Sequence, residues 1–231
     1  MKRTIHSTAI LLGLLFAGSF YSQDTSAQEV RELDPFEEIG IAVHADVFYT
    51  QGSGHQIKIE GRSQDVEDLI TEVKDGLLQI RHERFRVRRE KLTITIISEE
   101  LEGVKISGSA KFMAEEPVTS EEMELAVSGS GGVMFDRLNS EEVEAKISGS
   151  GYVELSGAAD EMETKISGSG KILAEDFKVS ECSAVISGSG NCTIWVTEEL
   201  DAKISGSGNV YYRGDPQINS VSSGSGGVRS L

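Results

Sequence analysis

The chain has 231 residues, with 22 lysines and arginines against 38 aspartates and glutamates, a formal charge of −16, and 38% hydrophobic and 6% aromatic residues. This composition suits a soluble folded domain and excludes a disordered tail or a multi-span membrane protein. The acidic surplus excludes general affinity for phosphate backbones, so nucleic acid is not expected as a partner. Glycine occurs 25 times against three prolines, a usage that marks repeated tight turns.

Residues 1–27 read as a secretory signal peptide, with Lys2 and Arg3 before an apolar run from Ala9 to Phe20. That run is too short to span a bilayer comfortably. Cleavage after Ala27, with Thr25 at the −3 position, gives a mature chain starting at Gln28; retention as an N-terminal anchor is the alternative. No cysteine directly follows the apolar run, so a lipid anchor is not expected, and no other segment is apolar enough to cross a membrane. The expected location is exported: periplasm, cell surface or medium.

Residues 28–231 read as one domain, with an irregular N-terminal section to residue 106 and repeats from 107 onward. In the first section, strand-like alternation occurs at Ile39–Val43, Val47–Tyr49, Gln56–Ile59, Leu78–Ile80 and Leu92–Ile96. Val66, Leu69, Ile70 and Val73 have helical spacing over about two turns, which predicts a loop or one short helix. The segment from Arg81 to Lys91 concentrates Arg81, Arg84, Arg86, Arg88, Arg89 and Lys91. Arg84-Phe85-Arg86-Val87-Arg88 alternates strictly, so its arginines can form an external stripe on an otherwise acidic protein. Such a stripe suits an anionic partner, an acidic polysaccharide or lipopolysaccharide. A hairpin edge blunted by charge is the structural alternative.

Ser-Gly-Ser-Gly starts at Ser128, Ser148, Ser167, Ser187, Ser205 and Ser223, with Ser-Gly-Ser-Ala at Ser107, in steps of 21, 20, 19, 20, 18 and 18 residues. A motif that survives a drifting period is the signature of stacked coils. Before the motif, Ile106, Val127, Ile147, Ile166, Ile186 and Ile204 share one offset, and Val104, Leu125, Ala145, Thr164, Ala184 and Ala202 another. Met123, Val143, Met162, Cys182 and Leu200 share a third. After it come Phe112, Val133, Val153, Ile172, Cys192, Val210 and Val228, then Ala114, Phe135, Leu155, Ala174, Ile194 and Tyr212. Each coil thus offers two short strands meeting at a glycine corner. Strands recurring in one direction pair in parallel, and parallel crossovers are right-handed. The expected fold is all-β, a right-handed parallel β-helix or β-solenoid of seven coils of about 19 residues. The last coil, with Ser220 and Ser222 at inward positions, reads as a frayed or capping terminus and a candidate association surface, which allows a homo-oligomer.

Acidic pairs precede the motif at Glu121-Glu122, Glu141-Glu142, Asp160-Glu161 and Glu198-Glu199, with Ser180-Glu181 a half match. Stacked at about 5 Å, such carboxylates repel by roughly 1 kcal/mol even in water. Two readings follow: Ca²⁺ bridging adjacent coils, or a solvated outer turn whose side chains splay apart. The calcium-loaded nonapeptide Gly-Gly-x-Gly-x-Asp does not occur. Glu124, Glu144, Glu163 and Asp201, with Lys105, Lys146, Lys165 and Lys203 two residues on, predict charge pairing between coils. Cys182 and Cys192 sit in different inward columns, with Cys182 expected to face the region of Val196. This predicts two buried free thiols.

Neither a phosphate-binding glycine loop nor a Cys/His metal spacing occurs, and His44, His55 and His82 are scattered. No cofactor or catalytic residue is expected, although a polysaccharide-active β-helix enzyme remains an alternative.

Phe36-Glu37-Glu38-Ile39, Val47-Phe48-Tyr49-Thr50-Gln51-Gly52, Ile57-Lys58-Ile59-Glu60-Gly61, Asp75-Gly76-Leu77-Leu78-Gln79-Ile80 and the repeated Ile-Ser-Gly-Ser-Gly resemble the head GIN domain family. These are exported proteins frequent in Bacteroidetes and called auto-transporter adhesin heads. The resemblance covers essentially the whole mature chain. It implies a β-helical fold and an envelope or extracellular setting without implying an activity. Nothing within the sequence can form a translocating barrel, which departs from a complete autotransporter. The expectation is a non-catalytic adhesin-like or envelope-structural protein that binds surface glycans or envelope proteins along a rigid surface, with a periplasmic scaffold as the alternative.

Overall fold

The computed structural model describes residues 26–83 and 89–231. Its strands form one continuous sheet wound on itself, and the helical content is a single turn-and-a-half. The N-terminal section comprises β1 (Ser26–Glu32), β2 (Glu38–Ile41), β3 (Ala45–Gln51), β4 (Gln56–Arg62), α1 (Ser63–Glu67), β5 (Leu69–Lys74), β6 (Leu77–His82), β7 (Leu92–Ser98), β8 (Gly103–Gly108) and β9 (Lys111–Ala114). The alternating segments at Val47–Tyr49, Gln56–Ile59, Leu78–Ile80 and Leu92–Ile96 are strands here, that at Ile39–Val43 is a strand as far as Ile41, and Arg84–Arg88 lies outside the described residues.

Stacking order differs from chain order in this section. β2 pairs in parallel with β6 on one side and β8 on the other, and β3 likewise lies between β7 and β9. The first coil to be made is therefore inserted between two later ones. Beyond it the end is closed by antiparallel pairings, β4 on β7, β1 on β4 and β5 on β6.

Of the four residues with helical spacing, only Val66 lies in α1; Leu69, Ile70 and Val73 belong to β5. The reason is the turn that follows. Asp75 and Gly76 adopt φ +50° and +79°, and Lys74 faces Leu77, a two-residue hairpin that Asp-Gly favours because both positions need positive φ. β1 also takes in Ser26 and Ala27, two residues on the signal side of the expected cleavage point.

The repeats form β10 (Val118–Gly129), β11 (Gly132–Gly149), β12 (Tyr152–Gly168), β13 (Lys171–Gly188), β14 (Asn191–Gly206), β15 (Asn209–Arg213), β16 (Gln217–Gly224) and β17 (Gly227–Ser230). Pairing is parallel and motif on motif: Ser128 on Ser148, Ser148 on Ser167, Ser167 on Ser187, Ser187 on Ser205 and Ser205 on Ser223. The solenoid has about six turns.

Each coil has three sides, one more than its sequence suggests. Beyond the second strand the chain bends again, bringing Leu138, Phe177, Val179 and Val196 into the core. The ladder shifts register at these bends, between Phe135 and Leu138, Glu154 and Ser156, and Ala174 and Lys178. The drift in period is absorbed there, which blurs the third column and keeps the glycine corner in step. Inside, Tyr49, Phe112 and Phe135 stack through successive coils with centroids 5.7 and 5.5 Å apart. Each fully buried aliphatic or aromatic side chain stabilises the stack by about 1.5–3 kcal/mol.

The two glycines of each corner do different things. Gly149 has φ +125°, a conformation that side chains rarely adopt. Gly151 needs no unusual φ, but a Cβ there would lie 2.4 Å from the carbonyl oxygen of Gly131 in the coil below. Replacing Gly149 with Ala combines strained φ with a Cβ 2.5 Å from the Gly129 oxygen. Gly149→Ala is expected to destabilise the protein by about 2 kcal/mol or more in thermal or urea unfolding. Gly227→Ala, where a Cβ meets nothing within 4 Å, is the neutral control.

Candidate functional site

Parallel register converts each outward offset into a straight column along the rod. On the sheet preceding the corner, one column runs Glu38, Gly103, Glu124, Glu144, Glu163, Ser183, Asp201, and its neighbour Gly40, Lys105, Ala126, Lys146, Lys165, Val185, Lys203. The expected pairing between coils is present. The Lys105 ammonium donates to Glu38 at 2.7 Å and lies 2.9 Å from Glu124, and Lys146 bridges Glu124 at 3.5 Å and Glu144 at 2.5 Å. Lys165 spans Glu144 at 3.5 Å and Glu163 at 2.9 Å. The hydrogen bond from Lys105 holds the Glu124 carboxyl below the usual carboxylate range.

Small residues in the lysine column leave room between the charges. A shallow groove of about 730 Å³ runs over Gly40, Ala42, Leu77 and Ala126, along the stems of Lys105, Lys146 and Lys165 and the Ser128, Ser148 and Ser167 row. Lysine stems covering apolar surface while their ammonium groups stay in water explain its apolar floor. The sequence signal was the interruption of the column by Gly40 and Ala126, readable only once the register is known.

The acidic pairs separate into two kinds. Glu122, Glu142, Glu161, Glu181 and Glu199 stand in register, carboxylate over carboxylate. Glu121, Glu141, Asp160 and Glu198 project from the adjoining corner and are exposed. An acidic groove of about 480 Å³ lies between the first set and the Glu124 column. Among the described residues no cluster of three or more His, Cys, Asp or Glu side chains converges closely enough to hold a metal ion. At the head of the ladder the Glu102 carboxyl is pushed up, first by desolvation and then by Glu37, Glu100, Glu122 and Glu121.

Of the basic segment, Arg84, Arg86 and Arg88 lie outside the described residues. Arg81 and Lys91 are at the surface, 3.5 Å from Glu72 and 2.6 Å from Asp46. Arg89 turns inward, 3.7 Å from Asp65 and 3.8 Å from Asp68. Asp65 is wholly buried and also accepts from Arg62 Nε at 3.0 Å and from the Glu90 N–H at 3.2 Å. This network seals the N-terminal end beneath α1.

Cys182 and Cys192 are free and buried. Burial pushes the Cys192 thiol up to about 12 and raises Cys182 strongly, with Cys192 contributing to the latter. On the third side Lys178, Trp195 and Arg213 stack, with the Arg213 guanidinium 4.4 Å and the Lys178 ammonium 5.8 Å from the indole centroid. That cation–π stack was not legible, since only the register at the drifting bend aligns its members.

Residues 35–216 match the family described as "Putative auto-transporter adhesin, head GIN domain". The chain belongs to the head GIN domain family. Among solved structures, an adhesin described as putative from Bacteroides fragilis superposes with a TM-score of 0.84 at 25% identity, covering 90% of this chain and 97% of that one. One from Parabacteroides merdae gives 0.74 at 25% identity, with 90% and 97% covered. A protein from Parabacteroides distasonis, described as a putative lipid-binding protein, gives 0.75 at 23% identity, covering 90% and 98%, a likeness of fold. No match was found among curated proteins.

The electrostatics of this head GIN domain give opposed pH terms. The raised Glu102 makes its ionised form costly, so stability grows as pH falls from neutrality through its raised value. The lowered Glu124 contributes above the ordinary carboxylate range and loses that contribution as pH falls through its lowered value. Thermal midpoints are therefore expected to rise from pH 7 toward the carboxylate range and to fall below it. At neutral pH, sodium chloride and calcium chloride of equal ionic strength should raise the midpoint alike, as screening of a solvated ladder requires. A larger effect of calcium, with a calorimetric binding isotherm, would establish bridged coils instead. Asp65→Ala, which removes the buried carboxylate lying between Arg62 and Arg89, should destabilise the fold by about 3 kcal/mol in urea unfolding.

Proposed function

We propose that the chain is an exported, non-catalytic binding protein of the cell envelope. Its rigid outer columns engage an extended partner, such as a surface glycan, through many shallow contacts. The observation that carries this reading is the groove over Gly40, Ala42 and Ala126, which continues from coil to coil beside a row of serine hydroxyls. A groove lined by a repeating set of groups favours a polymer whose units repeat as well. Family membership and the two adhesin structures support the adhesive setting. The charges along the groove are paired with one another, which fits recognition by hydroxyl groups and apolar sugar faces more than capture of a strongly charged ligand. The absence of converging acid–base groups in the sequence supports the non-catalytic assignment.

Treating intact producing cells with a membrane-impermeant amine reagent should label the exposed lysines, among them Lys165 and Lys203. The purified protein should be retained on a glycan array, and Ala126→Arg, which fills the groove from an outward position, should abolish retention without changing the melting temperature. Labelling only after the outer membrane is permeabilised, or retention unaffected by Ala126→Arg, would overturn the surface-binding reading.

A further inference from the structure

On the sheet preceding the corner the last coil departs from those beneath it in the same way on three outer columns, whereas on the following sheet the column of Thr193 and Tyr211 ends in Arg229. The acidic ladder of Glu122, Glu142, Glu161, Glu181 and Glu199 ends in Gln217. The adjoining column ends with Asp201 followed by Asn219, and the lysine column with Lys203 followed by Val221. Each of these three charged columns turns neutral at its final member. Val221 is 70% exposed, Ile218 38% and Leu231 60%, three of the six large hydrophobic residues that the described chain leaves exposed.

The edge at this end is also open. Among the described residues β16 pairs only with β14, and β17 only with β15, so no described strand pairs with their outer N–H and C=O groups. Proteins ordinarily blunt such edges with charge. The opposite end follows that practice: β1 carries Glu29, Arg31 and Glu32, and β5 carries Glu72 and Lys74. The Arg31 guanidinium lies across the gap, donating to the carbonyl oxygens of Leu69 at 2.8 Å and Val66 at 3.4 Å and to the Thr71 hydroxyl at 3.0 Å. One end is guarded against added strands, while at the other β16 carries no charged residue and β17 only Arg229.

We propose that two copies of this chain join tail to tail through the β16–β17 coil, forming a closed two-fold dimer. Charge selects this occupant. Two rods of net charge −16 repel along their sides, and β16 is where the outer columns of the sheet preceding the corner can meet without opposing like charges. Antiparallel pairing of β16 with its symmetry mate sets outward residues against outward residues, so Gln217, Asn219 and Val221 of one copy face the same neutral set of the other. On the inner side, Ile218 and Val228, which lie over Leu200 and Val210, would be covered by the partner's coil. The guarded N-terminal end prevents head-to-tail growth, so association stops at two. The inference is independent of the glycan reading, since the groove lies on the side of the rod.

Sedimentation velocity on the purified protein over a wide concentration range tests it. The expected result is a concentration-dependent doubling of mass with no larger species. Asn219→Glu combined with Val221→Glu sets like charges across the two-fold and should yield a single chain at every concentration; because the Asn219 amide donates to Glu199 at 2.9 Å, Val221→Glu alone, at a position 70% exposed, is the companion variant that should weaken the dimer with an unchanged melting curve. Under mild oxidation, Val221→Cys should give a covalent dimer and Val30→Cys, 49% exposed at the guarded end, should not. A wild-type single chain throughout, a dimer indifferent to the two glutamates, species beyond two copies, or crosslinking through position 30 would each overturn the proposal.

Discussion

Close parallel contact between successive coils is the constraint on which the rest of this structure depends. At each corner the backbone of one coil rests against the carbonyl oxygens of the coil below, closely enough that a Cβ at Gly151 would collide with Gly131. A stack so tight cannot tolerate a corner that slips, so serine falls on serine and glycine on glycine from Ser128 to Ser223. The inward aliphatic columns follow from that register, because alternation within a strand then repeats at the same place in every coil. The first corner contains Ala110 in place of the second glycine. Carrying the register of Ile41 on Ile106 and Asp46 on Lys111 through the corner puts Ala42 to Ala45 beneath it, a coil without the glycine motif.

The same register has an electrostatic consequence. Like residues stacked at about 5 Å bring like charges together, and the protein meets this differently on adjacent columns. The Glu124 column is offset by lysines two residues along, Lys146 and Lys165 each reaching carboxylates of their own and a neighbouring coil and Lys105 those of the coils on either side. The Glu122 column is accompanied by no lysine or arginine within 4 Å among the described residues and relies on solvent. Neutral residues complete both columns at the C-terminal end, where stacking on another coil would otherwise repeat the repulsion.

Adhesion is a function that this architecture can serve without a pocket in the usual sense. The core is continuous, the buried polar network of Asp65 and Arg89 belongs to the end cap, and the grooves lie between outer columns. Recognition distributed along a rod needs rigidity more than a preformed cavity. The parallel ladders and stacked aromatic residues supply that rigidity.

The amino-acid sequence by itself determined the solenoid, the glycine corners, five inward columns, the diagonal Lys–Glu pairing and the buried thiols, because each arises from local alternation multiplied by a fixed motif. Tertiary structure decided what depends on pairing between distant segments. Insertion of β2 and β3 between later strands, the antiparallel end cap, and the assignment of Leu69, Ile70 and Val73 to a hairpin leave no period to read. The third side of each coil was hidden because the drift in length accumulates there. Arg89 lay within an apparently uniform basic run, and only the fold brought buried Asp65 to face it. Repetition makes the body of the rod legible, whereas its two ends and its groove arise from contacts made once.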